Sequence, residues 1–170
     1  MRIFRPDHEH IAIADIIISL ILEQGYKGFM IDIDNTIVAH NSVRIFKEDH
    51  LWILKIKELG IPITLITYNF EGKAVDYIAK DLDCPVIKVS FPYIHHNTVR
   101  QAAKIMGILP EEVVGINDFR IALTVLRLFG CRKTILVSPI SLESEKESKM
   151  LCFLRLIENK IIVPLLKRFS

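Results

Sequence analysis

Cysteine is scarce in this chain, and its spacing argues against several classes of small protein. The 170 residues contain three cysteines, Cys84, Cys131 and Cys152, an odd number with no Cys-x-x-Cys pair. A disulfide framework needs an even set, and a structural zinc site needs closely spaced ligands. The composition therefore argues against both and fits a protein of a reducing compartment.

An excess of charge of one sign is also lacking, as are long apolar runs. The formal net charge is only +2, which gives no electrostatic indication of a nucleic-acid partner. The N-terminal apolar run, IAIADIIISLIL, has twelve residues and contains Asp15, whereas a membrane span needs about 20 apolar residues. We therefore expect a buried helix over about residues 8–24 and, with no signal peptide evident, a cytoplasmic protein.

What the chain has instead is an alternation of short apolar runs and amphipathic stretches. Hydrophobic residues make up 51%, enough for a single domain with a full core over residues 1–170. Runs rich in branched residues predict buried strands, and stretches with helical apolar spacing predict helices between them. This order predicts an α/β fold whose parallel sheet is covered on both faces. The strands are expected at 28–33, 61–67, 84–91, 111–116 and 133–138, and the helices at 48–60, 71–82, 97–107 and 120–130.

The stretch GFMIDIDNTIVAH, residues 28–40, carries the clearest chemical pattern. Asp32 and Asp34 stand at i and i+2 at the carboxyl end of a predicted buried strand, where α/β sheets bind ligands. Neighbouring carboxylates repel unless a cation, hydrogen bonds or a shared proton relieves them. Because Mg²⁺ prefers oxygen ligands and accepts substrate phosphate beside them, the pattern predicts a metal-assisted phosphoryl site. The structural alternative is that Asp34 or Asn35 only caps a turn.

Three motifs together resemble the haloacid dehalogenase (HAD) superfamily: DIDNT at a strand end, Thr67 at the end of the second strand, and VGIND after the fourth. The stretches GYKGFMIDIDNTIV, LKIKELGIPITLITYN, AAKIMGILPEEVVGI and TILVSPIS are similar to subfamily IIIA phosphatases, which include relatives of phosphatidylglycerophosphate phosphatase. The resemblance covers nearly the whole chain. It implies a three-layer α/β/α Rossmannoid domain, a Mg²⁺ cofactor, and a phosphorylated small molecule or lipid phosphate as substrate. No insertion large enough for a cap domain follows either motif, so we expect an open site.

The resemblance also implies a role for each matching residue. Asp32 would be the nucleophile that forms an aspartyl phosphate, and Asp34 would be the general acid and then the general base. The Asp32 carboxylate and the Asp34 main-chain carbonyl would bind Mg²⁺. Thr67 would hydrogen-bond the phosphoryl oxygens, with Asn69 as a further phosphate contact.

Two motifs depart from the family pattern. The family has a lysine before a proline after the third strand, whereas this chain has Phe91 there and Lys88 three positions upstream as the candidate phosphate-binding replacement. The fourth motif usually carries two acids, but here Asn117 and Asp118 stand in the first place and Ala122 stands near the second. Asn117 or Asp118 would complete the metal site, and the loss of a carboxylate should weaken metal binding.

These departures leave different functions open. One is a working but slow phosphatase, and another is a HAD domain without catalysis that binds a phosphate, a metal or a partner. An enzyme with altered chemistry is the third. Arg120, beside the fourth motif, is expected to form an ion pair with Asp118. His95 and His96 are expected to be solvated loop residues.

The C-terminal segment 149–170 is basic and amphipathic, with Glu158 as its single acid. We expect it to pack on the domain as a terminal helix. The same composition suits contact with an anionic membrane surface, which would place the protein at the membrane periphery. The sequence leaves the oligomeric state open.

Overall fold

The computed structural model describes residues 5–40, 42–68, 73–89, 97–140, 156–162 and 164, without the side chains of 161 and 162. Its strands are β1 (His8–His10), β2 (Gly28–Asp32), β3 (Ile63–Thr67), β4 (Val86–Lys88), β5 (Val113–Asn117) and β6 (Lys133–Val137). They form one six-stranded sheet in the order β1-β6-β5-β2-β3-β4, and every neighbouring pair is parallel. The predicted parallel sheet is therefore confirmed.

Helices cover both faces of this sheet. They are α1 (Ile18–Glu23), α2 (Lys47–Glu58), α3 (Lys73–Leu82), α4 (Thr98–Met106) and α5 (Arg120–Leu128). Successive strand residues point to opposite faces, so β2 contributes Phe29 and Ile31 to one core cluster and Met30 to the other. The first cluster is closed by residues of α1, α2 and α3, and the second by residues of α4 and α5. The fold is thus the expected three-layer α/β/α domain.

The central position of β2 determines where a ligand can bind. β2 lies between β3 and β5, so the chain leaves it to one side and later returns to pair on the other. In open α/β sheets such a switch point leaves a crevice at the carboxyl ends of the strands. Between β2 and α2 the chain makes only a short excursion, in which Val38 bridges to Asp34 and to Ile45. No large cap domain is present among the described residues.

The prediction of a helix over residues 8–24 is wrong for most of its length. Residues His8–His10 form the edge strand β1, Ile13–Asp15 form one 3₁₀ turn, and only Ile18–Glu23 is α-helical. The run is rich in isoleucine, a β-branched residue of modest helix propensity. Tertiary contacts therefore decide its conformation. In the described part of the chain no helix is long and apolar enough to cross a membrane.

Trp52 holds this N-terminal segment against the domain. Its indole N–H donates to the Ile16 carbonyl at 2.9 Å, and its ring packs edge-on against Phe29 with centroids 5.4 Å apart. The side chain is buried, so the carbonyl that it satisfies has little access to water. The Ala14 N–H also donates to Asp49 of the same helix, at 3.1 Å, so α2 holds the segment at two points, and loss of the buried Trp52 bond should weaken that attachment.

We expect Trp52→Phe to lower the free energy of unfolding by about 1–3 kcal/mol, because a buried carbonyl loses its donor. The measurement is urea denaturation followed by circular dichroism. Leu51→Ala is the matched control on the same helix, since Leu51 is 55% exposed and should change stability by less than about 0.5 kcal/mol. Equal effects of the two substitutions would contradict the anchoring role.

Candidate functional site

A tight turn follows β2 and folds the chain back over the end of the strand. The N–H groups of Thr36, Ile37 and Val38 all lie within hydrogen-bonding distance of the Ile33 carbonyl, at 3.0 to 3.3 Å. Asn35 takes a left-handed conformation with φ of 61°, which asparagine tolerates better than most residues. The turn therefore returns Thr36 to a position beside Asp32.

Two buried carboxylates face each other across the Thr36 hydroxyl. The Thr36 Oγ1 atom lies 3.3 Å from Asp32 Oδ2 and 3.5 Å from Asp118 Oδ1. All three side chains are buried. Burial raises the pKa of Asp32 well above its ordinary value, and the charges of Asp118 and Asp34 raise this pKa further. Ionising both carboxylates of this pair is therefore energetically unfavourable.

Asp34 lies at the rim of this cluster, where its carboxylate is partly exposed. The Thr67 hydroxyl donates to Asp34 Oδ2 at 2.9 Å, and His40 Nδ1 lies 3.6 Å from Asp34 Oδ1. The main-chain N–H of His40 donates to the Asn35 side chain at 3.2 Å, which fixes the chain that carries the imidazole. In this structure Thr67 orients Asp34. The predicted contact of Thr67 with a phosphoryl group stays a prediction.

Three residues near the acids had no role in the sequence-based prediction. Thr36 belongs to the DIDNT motif, so its proximity could have been inferred from the motif. His40 is brought back only by the reversal of the turn, which no periodicity reveals. Tyr68 follows directly after β3, and burial, with the charges of Asp32 and Asp118, raises the pKa of its phenol. The tyrosine therefore lies within the electrostatic reach of the cluster.

The structure separates the two candidates of the fourth motif. Asn117 is the last residue of β5, and its Oδ1 atom accepts the Phe119 N–H at 2.8 Å. Its buried Nδ2 atom has no hydrogen-bond partner among the described residues. Asp118, just beyond the strand, is the residue whose carboxylate reaches Thr36 and raises the pKa of Asp32. The acid next to Asp32 is thus Asp118.

Lys88 does not join the cluster. In β4 it pairs in register with Thr67, whereas Ile87 pairs with Ile66, the register partner of Asp32. Because paired residues of parallel strands point to the same face, Lys88 lies on the opposite face from Asp32. Its ammonium is 3.3 Å from a carboxylate oxygen of Asp76 in α3.

The Arg120 prediction also needs correction. Its guanidinium pairs with Glu9 at 2.8 Å and lies 3.8 Å from Glu158, rather than forming the expected ion pair with Asp118. The other predicted positions, Asn69, Phe91, His95 and His96, and most of the segment 149–170, lie outside the described residues.

The donor set at the cluster fits a hard divalent cation. Asp32 Oδ1 is a buried carboxylate oxygen with no hydrogen-bond partner in the described part of the chain. Residues 5–40, 42–68, 73–89, 97–140 and 156–162 contain no group of three acidic, histidine or cysteine side chains arranged to hold a metal. Mg²⁺ commonly uses one or two carboxylates and keeps several waters, so Asp32 and Asp118 are sufficient side-chain ligands.

Comparison with known proteins supports the fold and leaves the family open. No family model matches the chain, and no curated protein matches it. The cobalt-bound form of a deoxy-D-mannose-octulosonate 8-phosphate phosphatase from Haemophilus influenzae superposes with a TM-score of 0.52 and 14% identity, over 64% of this chain and 67% of that one. A hypothetical protein from Xanthomonas campestris gives a TM-score of 0.51 and 15% identity, over 93% of this chain and 97% of that one.

These similarities define the class of fold. The octulosonate phosphatases are members of the HAD superfamily, and this chain superposes on one of them over 64% of its length. The chain therefore has a HAD-like Rossmannoid fold without a large cap among its described residues. The sequence identities are too low to transfer an activity.

We expect Asp32→Asn to raise the free energy of unfolding by about 1–2 kcal/mol at pH 7 without divalent cations, as active-site substitutions often do. The pKa of Asp32 is raised in the folded state, so the folded protein holds this proton to a higher pH than the unfolded chain. Its contribution to stability therefore falls as the pH rises from about 4 through the raised pKa.

The measurement is the difference in stability between Asp32→Asn and wild type across this pH range, in buffer with EDTA. Asp81→Asn, on the exposed side of α3, is the control for the change in net charge. If Asp32→Asn destabilises the protein equally at every pH, the ionised Asp32 carboxylate does not lower the stability of the folded protein and the prediction is wrong.

Proposed function

We propose that this chain is a HAD-type phosphatase that hydrolyses phosphomonoesters through Asp32. The observation that carries the proposal is the convergence of Asp32, Asp34 and Asp118 at the carboxyl end of the sheet, with the Thr36 hydroxyl between two of them. A fold alone does not define an activity, so the support comes from this chemistry. The phosphatase from Haemophilus influenzae, whose structure is cobalt-bound, is consistent with it.

Asp32 and Asp34 divide the chemical steps between them. Asp32 Oδ1 attacks phosphorus while Asp34 gives its proton to the leaving oxygen, and the ester bond from phosphorus to that oxygen breaks. Asp34, now ionised, takes a proton from the water that attacks the aspartyl phosphate. The bond from phosphorus to Asp32 then breaks, which releases inorganic phosphate and restores the carboxylate.

The neighbours of the two aspartates match this division. Asp32 Oδ1 has no partner among the described residues and can attack, while Oδ2, which the Thr36 hydroxyl approaches to 3.3 Å, keeps a lone pair for the cation. Thr67 holds Asp34 Oδ2, and the partial exposure of Asp34 lets it reach a leaving group that arrives from solvent. Because burial raises the pKa of Asp32, a cation bound beside it would be needed to favour the ionised carboxylate that attacks.

Mg²⁺ is the cofactor that the proposal requires. The Asp32 and Asp118 carboxylates and the Asp34 main-chain carbonyl would hold it, and it would supply positive charge to the nucleophile and the phosphoryl group. Asn117 contributes less, because its carbonyl oxygen is already bound by the Phe119 N–H. The chain itself contributes the oxygen ligands and the burial that strengthens their charge.

The substrate belongs to the class of phosphorylated small molecules or lipid phosphates. The octulosonate phosphatase with the same fold acts on a phosphorylated sugar acid, as its name states. The sequence resemblance to subfamily IIIA favours phosphatidylglycerophosphate instead. An open site without a large cap among the described residues leaves room for either substrate.

A second candidate function is binding of metal and phosphate without turnover. The favouring observation is that two family positions have lost their charge. Phe91 stands where the family has lysine, and Lys88 is held by Asp76 on the other face. Ala122 stands near the place of the second acid. Removing one preorganised charged or hydrogen-bonding group from such a site typically costs about 10²–10³ in rate. A domain with these losses could bind a phosphate and release it unchanged.

We expect Mg²⁺-dependent hydrolysis of an aryl phosphate that Asp32→Asn abolishes, because the substitution removes the nucleophile and keeps its shape. Wild type should be slow, and Phe91→Lys with Asn117→Asp together should raise its rate more than either change alone. The assay is phosphate release by wild type and these variants. Asp81→Asn is the control. Octulosonate 8-phosphate and vesicles containing phosphatidylglycerophosphate are then compared as substrates.

Two outcomes would decide against the enzyme. Turnover that survives Asp32→Asn would contradict the mechanism. Absence of turnover in every variant, together with Mg²⁺ binding by wild type in calorimetry, would favour the binding function.

A further inference from the structure

We infer that Glu158, from the C-terminal segment, is a positioning residue that holds the Asp118 loop against Asp32. The expected effect of Glu158 on Mg²⁺ affinity rests on the proposed function, whereas its effect on the position of the loop can be measured without any metal. Glu158 is the single acid of the basic segment 149–170, and its side chain is buried, which is unusual for a glutamate without a structural role.

The carboxylate of Glu158 caps the first turn of α5. Both of its oxygens lie close to the Arg120 N–H, at 3.3 and 3.2 Å, and Arg120 is the first residue of that helix. The first N–H groups of a helix lack partners within the helix, and an anion there is favoured by the helix dipole. α5 has no acid in its own first turn and no side-chain cap from Phe119. The cap is therefore supplied from 38 residues away.

The guanidinium of Arg120 extends this contact to the edge of the sheet. It pairs with Glu9 of β1 at 2.8 Å and lies 3.8 Å from Glu158, and its own side chain is 16% exposed. A buried carboxylate is tolerated when it is paired and hydrogen-bonded, and Glu158 satisfies both conditions. Glu158 is thus fixed by Arg120, which also pairs with β1.

The capped residue is two positions from Asp118. Only Asp118 and Phe119 separate β5 from α5, and the Phe119 N–H is held by Asn117 at 2.8 Å. The loop is thus fastened on one side by Asn117 and on the other by Glu158. The Asp118 and Asp32 carboxylates face each other across the Thr36 hydroxyl and repel when both are charged, and the cap on Arg120 holds the loop that carries Asp118 against this repulsion.

The first test measures the loop directly in the full-length protein. Amide hydrogen exchange at 119–121 should speed up about five-fold or more in Glu158→Ala, as expected when a capping interaction of about 1 kcal/mol is lost. Glu158→Gln should show a smaller increase, because its amide oxygen still accepts a hydrogen bond but carries no charge. Circular dichroism verifies folding, and Glu158→Gln decides the question if Glu158→Ala does not fold.

Glu112→Ala is the matched control. The Glu112 carboxylate also accepts a main-chain N–H, from Leu109 at 2.9 Å, and pairs with Lys27 at 2.6 Å, but it precedes β5 at the opposite end of the sheet. Glu112→Ala removes the same kind of capping interaction, so it should lower the free energy of unfolding but leave amide exchange at 119–121 unchanged. This separates positioning of the loop from a general loss of stability.

The second test measures Mg²⁺ binding by calorimetry. Glu158→Ala should raise the dissociation constant about five-fold or more, and Glu112→Ala should leave it unchanged. Unchanged amide exchange at 119–121 in both Glu158 variants would overturn the inference. If wild type binds Mg²⁺, an unchanged dissociation constant in Glu158→Ala would overturn it as well. A wild type that binds no Mg²⁺ would instead count against the proposed function, and the exchange measurement alone would then decide the positioning.

Discussion

The repulsion between buried carboxylates is the constraint on which the site depends. Asp32 and Asp118 are held together because β2 and β5 pair with Ile31 opposite Ile116, so both strands end at the same level. A slip of one residue would turn every side chain of a strand to the other face, and the core prevents this. Burial raises the pKa of Asp32, and the charges that the fold holds beside it raise this pKa further. A proton or a cation can relieve the repulsion, which couples stability to ligand binding.

Close packing between α5 and β5 keeps the Asp118 loop in place against this repulsion. At Gly115 in β5, an added Cβ would lie 3.1 Å from Leu126 and 3.2 Å from the sulfur of Cys131. The absence of a side chain at Gly115 therefore lets α5 lie near the strand, with its first turn next to the loop of Asp118. The positive end of the helix dipole is then close to the acids and offsets part of their charge.

Local sequence pattern predicted most strands of the sheet and the acidic residues of the site. It failed for features whose conformation or contacts depend on residues far away in the sequence. Branched apolar runs predicted β2, β3, β5 and β6, because burial on both faces leaves a direct mark on the sequence. β1 was missed because its place is fixed by contacts such as those of Asp7 with Thr134 and Arg127. The face of Lys88 follows from alternation along β4 once the register is known. The partners of Arg120, Glu9 and Glu158, are far away in sequence and carry no local signal.

The balance of charge at the site explains why both proposed functions call for a cation. Three carboxylates converge there, and the two cations that the sequence suggested are held elsewhere, Lys88 by Asp76 and Arg120 by Glu9 and Glu158. Among the described residues, His40 is the basic side chain in ion-pair distance of the cluster, at 3.6 Å from Asp34. A phosphate group brings further negative charge, so the protein groups described here would repel it. A divalent ion held by Asp32 and Asp118 would neutralise these two charges and offer a ligand position to a phosphate oxygen. Both functions therefore call for the cation, and they differ in whether Asp32 attacks the bound phosphoryl group and Asp34 gives a proton to the leaving oxygen.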